Sequence, residues 1–510
     1  MHAFEWFIGL MLGAMLLSAL ARRLGVPYPT FLALGGVGIA FLPNAPAWVL
    51  EPDVALALFV APVLLDAAFD TSLRDLRRNW FPVVALVVGA VAVTTVAVAV
   101  VARWLIPEMP WAVAIALGAI VAPPDAAAAT AVLKTLKLPH RLLTILEGES
   151  LLNDATALII YRIAVGAAMA ATLDVSSIAP TLFVTVFGSL VVGYALARMS
   201  SALMGRIHDV PSSIIMQFMG TFVVWIVAEK LEISAILTIV VYAITIARSA
   251  PAEISAQLRV PSYAVWETAV YLLNVLAFIL IGMQLKPIWL GLDSSLRTQS
   301  VVFAGVVLAA IIVTRVAWVL GYAAFLQVFF GYFSKSDTDI GTVFKSRFLI
   351  SWCGMRGIVT LATAFALPQG FPYRELILLT AFAVVLGTLV IQGITLRPLI
   401  SLLALDDDDP VGQEVGWARR AAFHAALEAI DGNTTPEAEF VRLEYRKMLE
   451  DAESNPDGLT SSELPGDPVR REGITAARRK LLDMRNNGDI GDAAFHRLEE
   501  EFDRAELSAM

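Results

Sequence analysis

Apolar runs recur along the chain from Trp6 to Ile400, separated by short polar stretches. Runs of roughly twenty residues, at 1.5 Å of rise each, are long enough to cross a hydrocarbon core about 30 Å thick. Most lack the polar stripe that a surface helix of a soluble protein carries. The pattern predicts thirteen membrane-spanning helices, near residues 4–21, 28–48, 52–71, 80–102, 111–134, 142–169, 179–199, 212–228, 233–248, 264–285, 301–328, 348–368 and 376–398. Only Ala228–Glu232 divides the eighth from the ninth. No Lys or Arg precedes the first run, and Arg22 and Arg23 follow it, so it reads as a first span and not as a cleaved leader.

After Leu405 the pattern changes. Asp406–Asp409 are four consecutive carboxylates, and residues 401–510 hold 13 Lys and Arg against 25 Asp and Glu. Residues 1–400 hold 24 against 21. The expected organisation is a transmembrane domain over 1–400, then an acidic linker and a helical tail over 401–510. In the tail, 417–430, 437–449, 474–484 and 493–507 read as helices, the last two as a hairpin. Residues 455–468 read as a Pro, Gly and Ser-rich linker. The tail suits a solvated contact surface, or regulation by pH or a partner.

Composition agrees with a membrane protein: 58% of the 510 residues are hydrophobic and 16% charged, against about 25% charged in soluble domains. The lone cysteine, Cys353, excludes an internal disulfide. Placing the N-terminus outside puts fifteen basic residues in inner loops, Lys134, Lys137 and Lys335 among them, and five in outer ones. The positive-inside rule then predicts a cytoplasmic tail.

Charges inside the spans are costly, so each is a candidate for function. Nine qualify: Asp66, Asp125, Glu147, Glu149, Asp154, Arg162, Glu267, Arg315 and Arg356. Asp154 lies about 18 Å into the sixth span, near the bilayer midplane; Glu147 and Arg162 lie nearer the ends, where a side chain can snorkel. Ser150, Asn153 and Asp154 share one helix face at i, i+3 and i+4. They offer a hydroxyl, an amide and a carboxylate, oxygen ligands suited to a hard cation. Glu149 points elsewhere and needs a counter-charge; Arg315 is the first candidate and Arg356 the second.

Two spans read as broken. The fifth carries Ala122-Pro123-Pro124-Asp125 at its centre and the twelfth carries Gly354-Met355-Arg356-Gly357. Interrupted helices at matching places in two halves point to a transporter site. Spans 1–6 and 8–13 would be those halves, as inverted repeats. Half-helix ends carry partial charges, which Asp125 and Arg356 can balance.

One buried carboxylate that holds a proton or a cation, and that cannot cross the membrane empty and charged, is sufficient for exchange. No nucleotide motif is present, and the chain is not expected to be an enzyme or to need a cofactor. A channel would need rings of charge around a continuous pore. An intramembrane aspartyl protease could use Asp125 and Asp154, but the glycine-rich surroundings of its second aspartate are missing: here the run is Leu152-Asn153-Asp154-Ala155.

The run Leu146-Glu147-Gly148-Glu149-Ser150-Leu151-Leu152-Asn153-Asp154-Ala155 resembles the signature of the monovalent cation/proton antiporter family, which contains bacterial sodium/proton antiporters and animal sodium/proton exchangers. Asp66 after Ala61-Pro62, Pro124-Asp125, Trp266-Glu267, Arg315 and Gly354–Gly357 extend the resemblance over roughly residues 4–400. It implies an all-α polytopic homodimer in the inner membrane, exchanging Na+, and Li+ with it, for H+, in pH and sodium homeostasis. K+/H+ exchange is the alternative. Asp154 would carry either cation or proton, with Ser150 and the broken fifth helix adding oxygen ligands. Glu149 and Arg315 would form a structural ion pair. Asn153 beside Asp154 marks the electroneutral, one-for-one branch. Two departures stand out. Pro124 replaces a frequent Thr and removes a side-chain ligand, and Asp66, in the cytoplasmic funnel, replaces a frequent Glu. Lipid and a second copy are the expected partners, with a regulatory partner on the tail and no nucleic acid.

Overall fold

The computed structural model describes residues 2–43, 51–125, 129, 133, 138–170, 175–292, 294–330, 340–404, 410–454, 467–487, 489 and 492–507. Lys134, Lys137, Lys335, Asp406–Asp409, most of the expected linker and the far ends of the second and fifth predicted spans lie outside these. The chain forms two compact units, Met1–Asp406 and Asp407–Met510.

The first unit is helical among the described residues. Its helices are α1 (His2–Leu24), α2 (Tyr28–Ala40), α3 (Pro52–Asp70), α4 (Leu73–Arg78), α5 (Trp80–Leu105), α6 (Trp111–Val121), α7 (His140–Ala170) and α8 (Val175–Met204). There follow α9 (Val210–Lys230), α10 (Ala235–Glu253), α11 (Ala256–Met283), α12 (Leu285–Gly291), α13 (Arg297–Phe330), α14 (Ile340–Trp352), α15 (Ile358–Phe365) and α16 (Arg374–Leu403). Among the described residues nine helices are long and apolar enough to cross a membrane, and α2, α6 and α10 are shorter apolar helices. Each predicted span falls on one of these or on the interrupted pair α14 and α15. The narrow division at Ala228–Glu232 separates two distinct helices. Ser234 starts α10 by accepting a hydrogen bond from the Leu237 amide at 3.3 Å.

Large apolar side chains point outward, with Met15 69% and Leu16 72% exposed. Such a surface suits lipid and not water. Inside, without a hydrophobic force between helices, close packing needs small residues. At the crossing of α2 and α11, a Cβ on Gly36 would collide with the Ile279 carbonyl, and one on Gly282 with the backbone of Ala33 and Val37. The two helices therefore touch backbone to backbone.

Two spans contain a wide π turn, at Leu56–Val60 in α3 and Ala85–Ala90 in α5. A π turn displaces a carbonyl from its helical partner. In α5 the Trp318 indole donates to the Ala85 carbonyl at 3.1 Å, so α13 satisfies it. The short α4 docks on the start of α7: Asp75 lies 3.3 Å from His140, and Arg141 donates to Asn79 at 3.2 Å. Burial pushes the Asp75 carboxyl up, but hydrogen bonds from Ser72, His140 and Arg74 outweigh it and hold the group below the usual carboxylate range.

The second unit holds α17 (Pro410–Ile430), α18 (Pro436–Ser454), α19 (Asp467–Asn486) and α20 (Asp492–Leu507). The tail helices are longer than the sequence pattern predicts. Asp467 and Pro468, expected in the linker, start α19, where proline is tolerated because its missing N–H has no helical partner. Phe423 packs against Tyr445 between α17 and α18. Arg478 pairs with Asp503 and Glu506, tying α19 to α20.

Gly282→Ala is expected to push α11 off α2 and to destabilise the folded protein by about 1–3 kcal/mol, the usual cost of overpacking. Thermal unfolding in detergent measures it. An unchanged unfolding temperature would show that the two backbones are not in contact.

Candidate functional site

α6 ends at Val121, and residues 122–125 leave the helix; α14 ends at Trp352, and the chain is non-helical to Gly357 before α15 begins. Prolines 123 and 124 remove backbone donors on the first side. Both breaks coincide with the segments the sequence marks. They meet each other: the Asp125 amide donates to the Met355 carbonyl at 2.6 Å. A Cβ on Gly357 would fall on the Asp125 carboxylate. Gly357 is the residue before α15, so this carboxylate lies at that half-helix's positive end.

The carbonyls freed by each break meet a guanidinium. Arg356, fully buried, donates to Val121 O at 3.1 Å, to Ala122 O at 3.3 Å and also to Gly354 O. It thus caps the end of α6. Arg315 donates to Ser351 O at 3.1 Å and Ile350 O at 3.2 Å, capping the end of α14. Arg315 also grips Glu149 through two parallel hydrogen bonds of 2.5 and 2.8 Å, both side chains being 2% exposed. Of the two counter-charges open to Glu149, the structure pairs it with Arg315. The bidentate fork fixes α7 to α13 and, through the carbonyls, to α14.

On the opposite side of α7 lies a cavity of about 990 Å³. Asp66, Asp125, Glu147, Ser150, Asp154 and Glu267 all reach it. Asp154 is 8% exposed, at the cavity's inner limit. Asn153 does not line the cavity. Its amide donates to the Pro124 carbonyl at 2.7 Å, and its Oδ1 meets no hydrogen-bond partner among the described residues. It therefore holds the broken segment against α7. Arg162 is exposed, away from the crossing.

Of the far wall of the cavity, the sequence marks Trp266 and Glu267 and not their partners. Trp266 on α11 donates to Gln217 on α9 at 2.7 Å, and the Gln217 amide reaches Ser213 and Ser262 at 3.3 and 3.2 Å. Tyr28 and Tyr271 stand with ring centroids 5.6 Å apart at the same cavity. The proline on each side of Tyr28 is the one local signal for it, since the pair sets the start of α2. No spacing relates Gln217 to Trp266.

Arg315→Leu would leave Glu149 buried and unpaired and would free two carbonyls. The expected cost is about 3–5 kcal/mol of stability. Thermal unfolding of the single variant should show a large loss, with part recovered in Glu149→Leu/Arg315→Leu. Equal unfolding of wild type and Arg315→Leu would remove the pair from the framework.

The family profile described as sodium/hydrogen exchanger, transmembrane, matches residues 10–402. A sodium, potassium, lithium and rubidium/H+ antiporter of Bacillus subtilis is 28% identical, over 94% of this chain and 74% of that protein. The low-affinity Na+/H+ antiporter NhaS1 of Synechocystis is 27% identical, over 83% of this chain and 79% of its own length. Among solved structures, the sodium proton antiporter MjNhaP1 of Methanocaldococcus jannaschii shares the fold, with a TM-score of 0.60 at 17% identity, covering 79% of this chain and all of that one. A profile match over most of the chain, spanning the broken helices and the carboxylate-bearing α7, places this protein in the sodium/hydrogen exchanger family of membrane transporters.

Proposed function

We propose that this cation/proton antiporter carries Na+, and Li+ with it, one for one against H+, and that Asp154 is the site the two ions share. The observation that carries the reading is the charge count at the crossing. Arg315 and Arg356 bring two positive charges; Glu149, Asp125 and Asp154 bring three carboxylates. With Glu149 and Asp125 ionised, the set is neutral only when Asp154 holds a proton or a monovalent cation. An unbalanced charge is costly inside the membrane, so the empty site is held still and the loaded one is free to move. Either ion gives the same net charge, which makes the exchange electroneutral.

Ser150, one turn before Asp154 and also on the cavity wall, supplies a hydroxyl oxygen for Na+. Asn153 contributes by fixing the Pro124 carbonyl, and Asp66 by drawing cations into the cavity. The two broken segments act as matching halves of an inverted repeat. The cavity opens among the ends of α1, α3 and α8 and the starts of α7 and α11. The positive-inside bias assigns that side to the cytoplasm, with the N-terminus outside, the 401–510 tail inside, and the 1–400 domain in the inner membrane as a homodimer.

K+ exchange is the second reading. It is favoured by Pro124, which leaves the site one side-chain ligand short, and by the Bacillus relative, whose name includes potassium. Cage size and ligand number decide between such ions.

In proteoliposomes with an internal pH dye, wild type is expected to dissipate a pH gradient on addition of Na+, and Asp154→Asn to lose the response while remaining folded. A response to K+ alone would change the substrate and keep the mechanism. An Asp154→Asn variant as active as wild type would move the ion site to Asp125.

A further inference from the structure

Two guanidiniums stand together between the start of α7 and α14. Arg141, in the first turn of α7, donates to Asn79 at 3.2 Å, and Asn79, itself buried, donates to the Asp75 carbonyl at 2.9 Å. Arg347, on α14, is half-buried and lies close enough to Arg141 for the two positive charges to repel. Like charges held together away from bulk water cost free energy, and an anion that joins them lowers that cost. Among the described residues, the carboxylates that α3, α4 and α7 bring to this end are placed elsewhere. Asp75 meets Arg74 and His140, each at 3.3 Å, while Asp70 and Glu147 line the large cavity. Arg74, Arg77 and Arg78, exposed on α4, add to the positive field.

Depth gives the pair its surroundings. Arg141 precedes Asp154 on the same helix by thirteen residues, about 20 Å of helical rise. With Asp154 near the bilayer midplane, that puts Arg141 in the headgroup layer, which ends about 20–22 Å from the midplane. The face is the one on which the large cavity opens. Aromatic side chains flank the pair. Tyr322 on α13 also interacts with Arg347, and its ring lies 6.0 Å from Phe81 and 5.9 Å from Trp318 between centroids. Trp80, 61% exposed, packs on Phe81 at 5.6 Å. Along α14, Phe344, Phe348 and Trp352 stack in a row, with Phe344 56% exposed. Exposed aromatic rings mark the membrane–water boundary, and basic clefts between helices at that boundary hold anionic headgroups.

We infer that this cleft binds the headgroup phosphate of an anionic phospholipid. Arg141 and Arg347 take the phosphate oxygens, for which the planar guanidinium fork is suited. The flanking aromatic rings border the upper ends of the acyl chains. A zwitterionic lipid brings its own ammonium group to the same guanidiniums and gains less from them. The bound lipid joins α7 to α14, which carries the second break, and stands beside α4. Its occupancy follows the anionic lipid content of the membrane, whichever ions are exchanged.

The test uses the full-length protein in neutral detergent, titrated with short-chain phosphatidylglycerol, phosphatidylcholine or inorganic phosphate. Native mass spectrometry counts the bound lipid, and thermal unfolding follows stability. Phosphatidylglycerol is expected to bind and to raise the unfolding temperature, because a ligand of the folded state alone stabilises it. Arg141→Gln or Arg347→Gln is expected to weaken that binding about fivefold and the double variant about 25-fold, from about 1 kcal/mol for each basic residue near anionic lipid. Arg141→Lys/Arg347→Lys keeps both charges and should recover most of the binding. Arg198→Gln, at an exposed arginine of α8, should bind as wild type does. Equal phosphatidylglycerol binding by wild type and the double Gln variant overturns the site, as does equal binding of phosphatidylcholine by wild type. If the double variant does not fold, Arg347→Gln alone decides by the same comparison. Stabilisation by inorganic phosphate to the same extent would mean a free-anion site and overturn the lipid. No recovery in the Lys variant would remove the two charges as its cause.

Discussion

Two helices broken inside a bilayer leave carbonyls with no water to meet them, and this debt shapes the rest of the membrane unit. Unpaired backbone groups in lipid are tolerated only where protein satisfies them. Here Arg356 takes the end of α6 and Arg315 takes the end of α14. Each arginine solves one problem and creates another, because a buried guanidinium needs negative charge nearby. Glu149 answers Arg315 directly. Asp125, at the start of α15, stands with its amide on the carbonyl of Met355, the residue before Arg356. The third carboxylate, Asp154, lines the open cavity together with Asp125.

That arrangement links architecture to transport. In the proposed reading the crossing, its charges and carbonyls mutually satisfied, moves as a body, and one carboxylate remains for a cargo ion. Asn153 serves the rigid part, through Pro124, and Asp154, its neighbour on the same helix, is the carboxylate proposed for the cargo. A cation/proton antiporter of the sodium/hydrogen exchanger family needs both properties in a few residues, and α7 supplies them from one stretch of helix.

Much of this was legible before any coordinates. Span-length apolar runs announce helices because a bilayer admits little else, and prolines 123 and 124 or the Gly354–Gly357 run announce breaks because they remove donors or side chains. Glu149 needed a buried partner, and only Arg315 and Arg356 were at suitable depth. What escaped depends on register between distant segments. Arg356 as the cap of α6, rather than of its own helix, requires knowing that the breaks cross. Gln217 with Trp266, and Trp318 on the Ala85 carbonyl, pair residues with no shared spacing. The π turn that frees that carbonyl has no signal in the sequence pattern. Helical spacing puts Asn153 beside Asp154 and offers it as an ion ligand. The structure adds that its Nδ2 donates to the Pro124 carbonyl, a partner that periodicity cannot reveal, while its Oδ1 meets no hydrogen-bond partner among the described residues.

The central claim is that proton and cation compete for one carboxylate. The most direct measurement is the Na+ dependence of exchange in proteoliposomes at a series of pH values, equal on both sides at the start. Single-site competition predicts that half-saturating Na+ rises toward tenfold for each unit of pH decrease on the acid side, with the maximum rate at saturating Na+ preserved. A half-saturating concentration that stays constant while the maximum rate falls with acid would mean that the proton acts elsewhere, and would contradict the account.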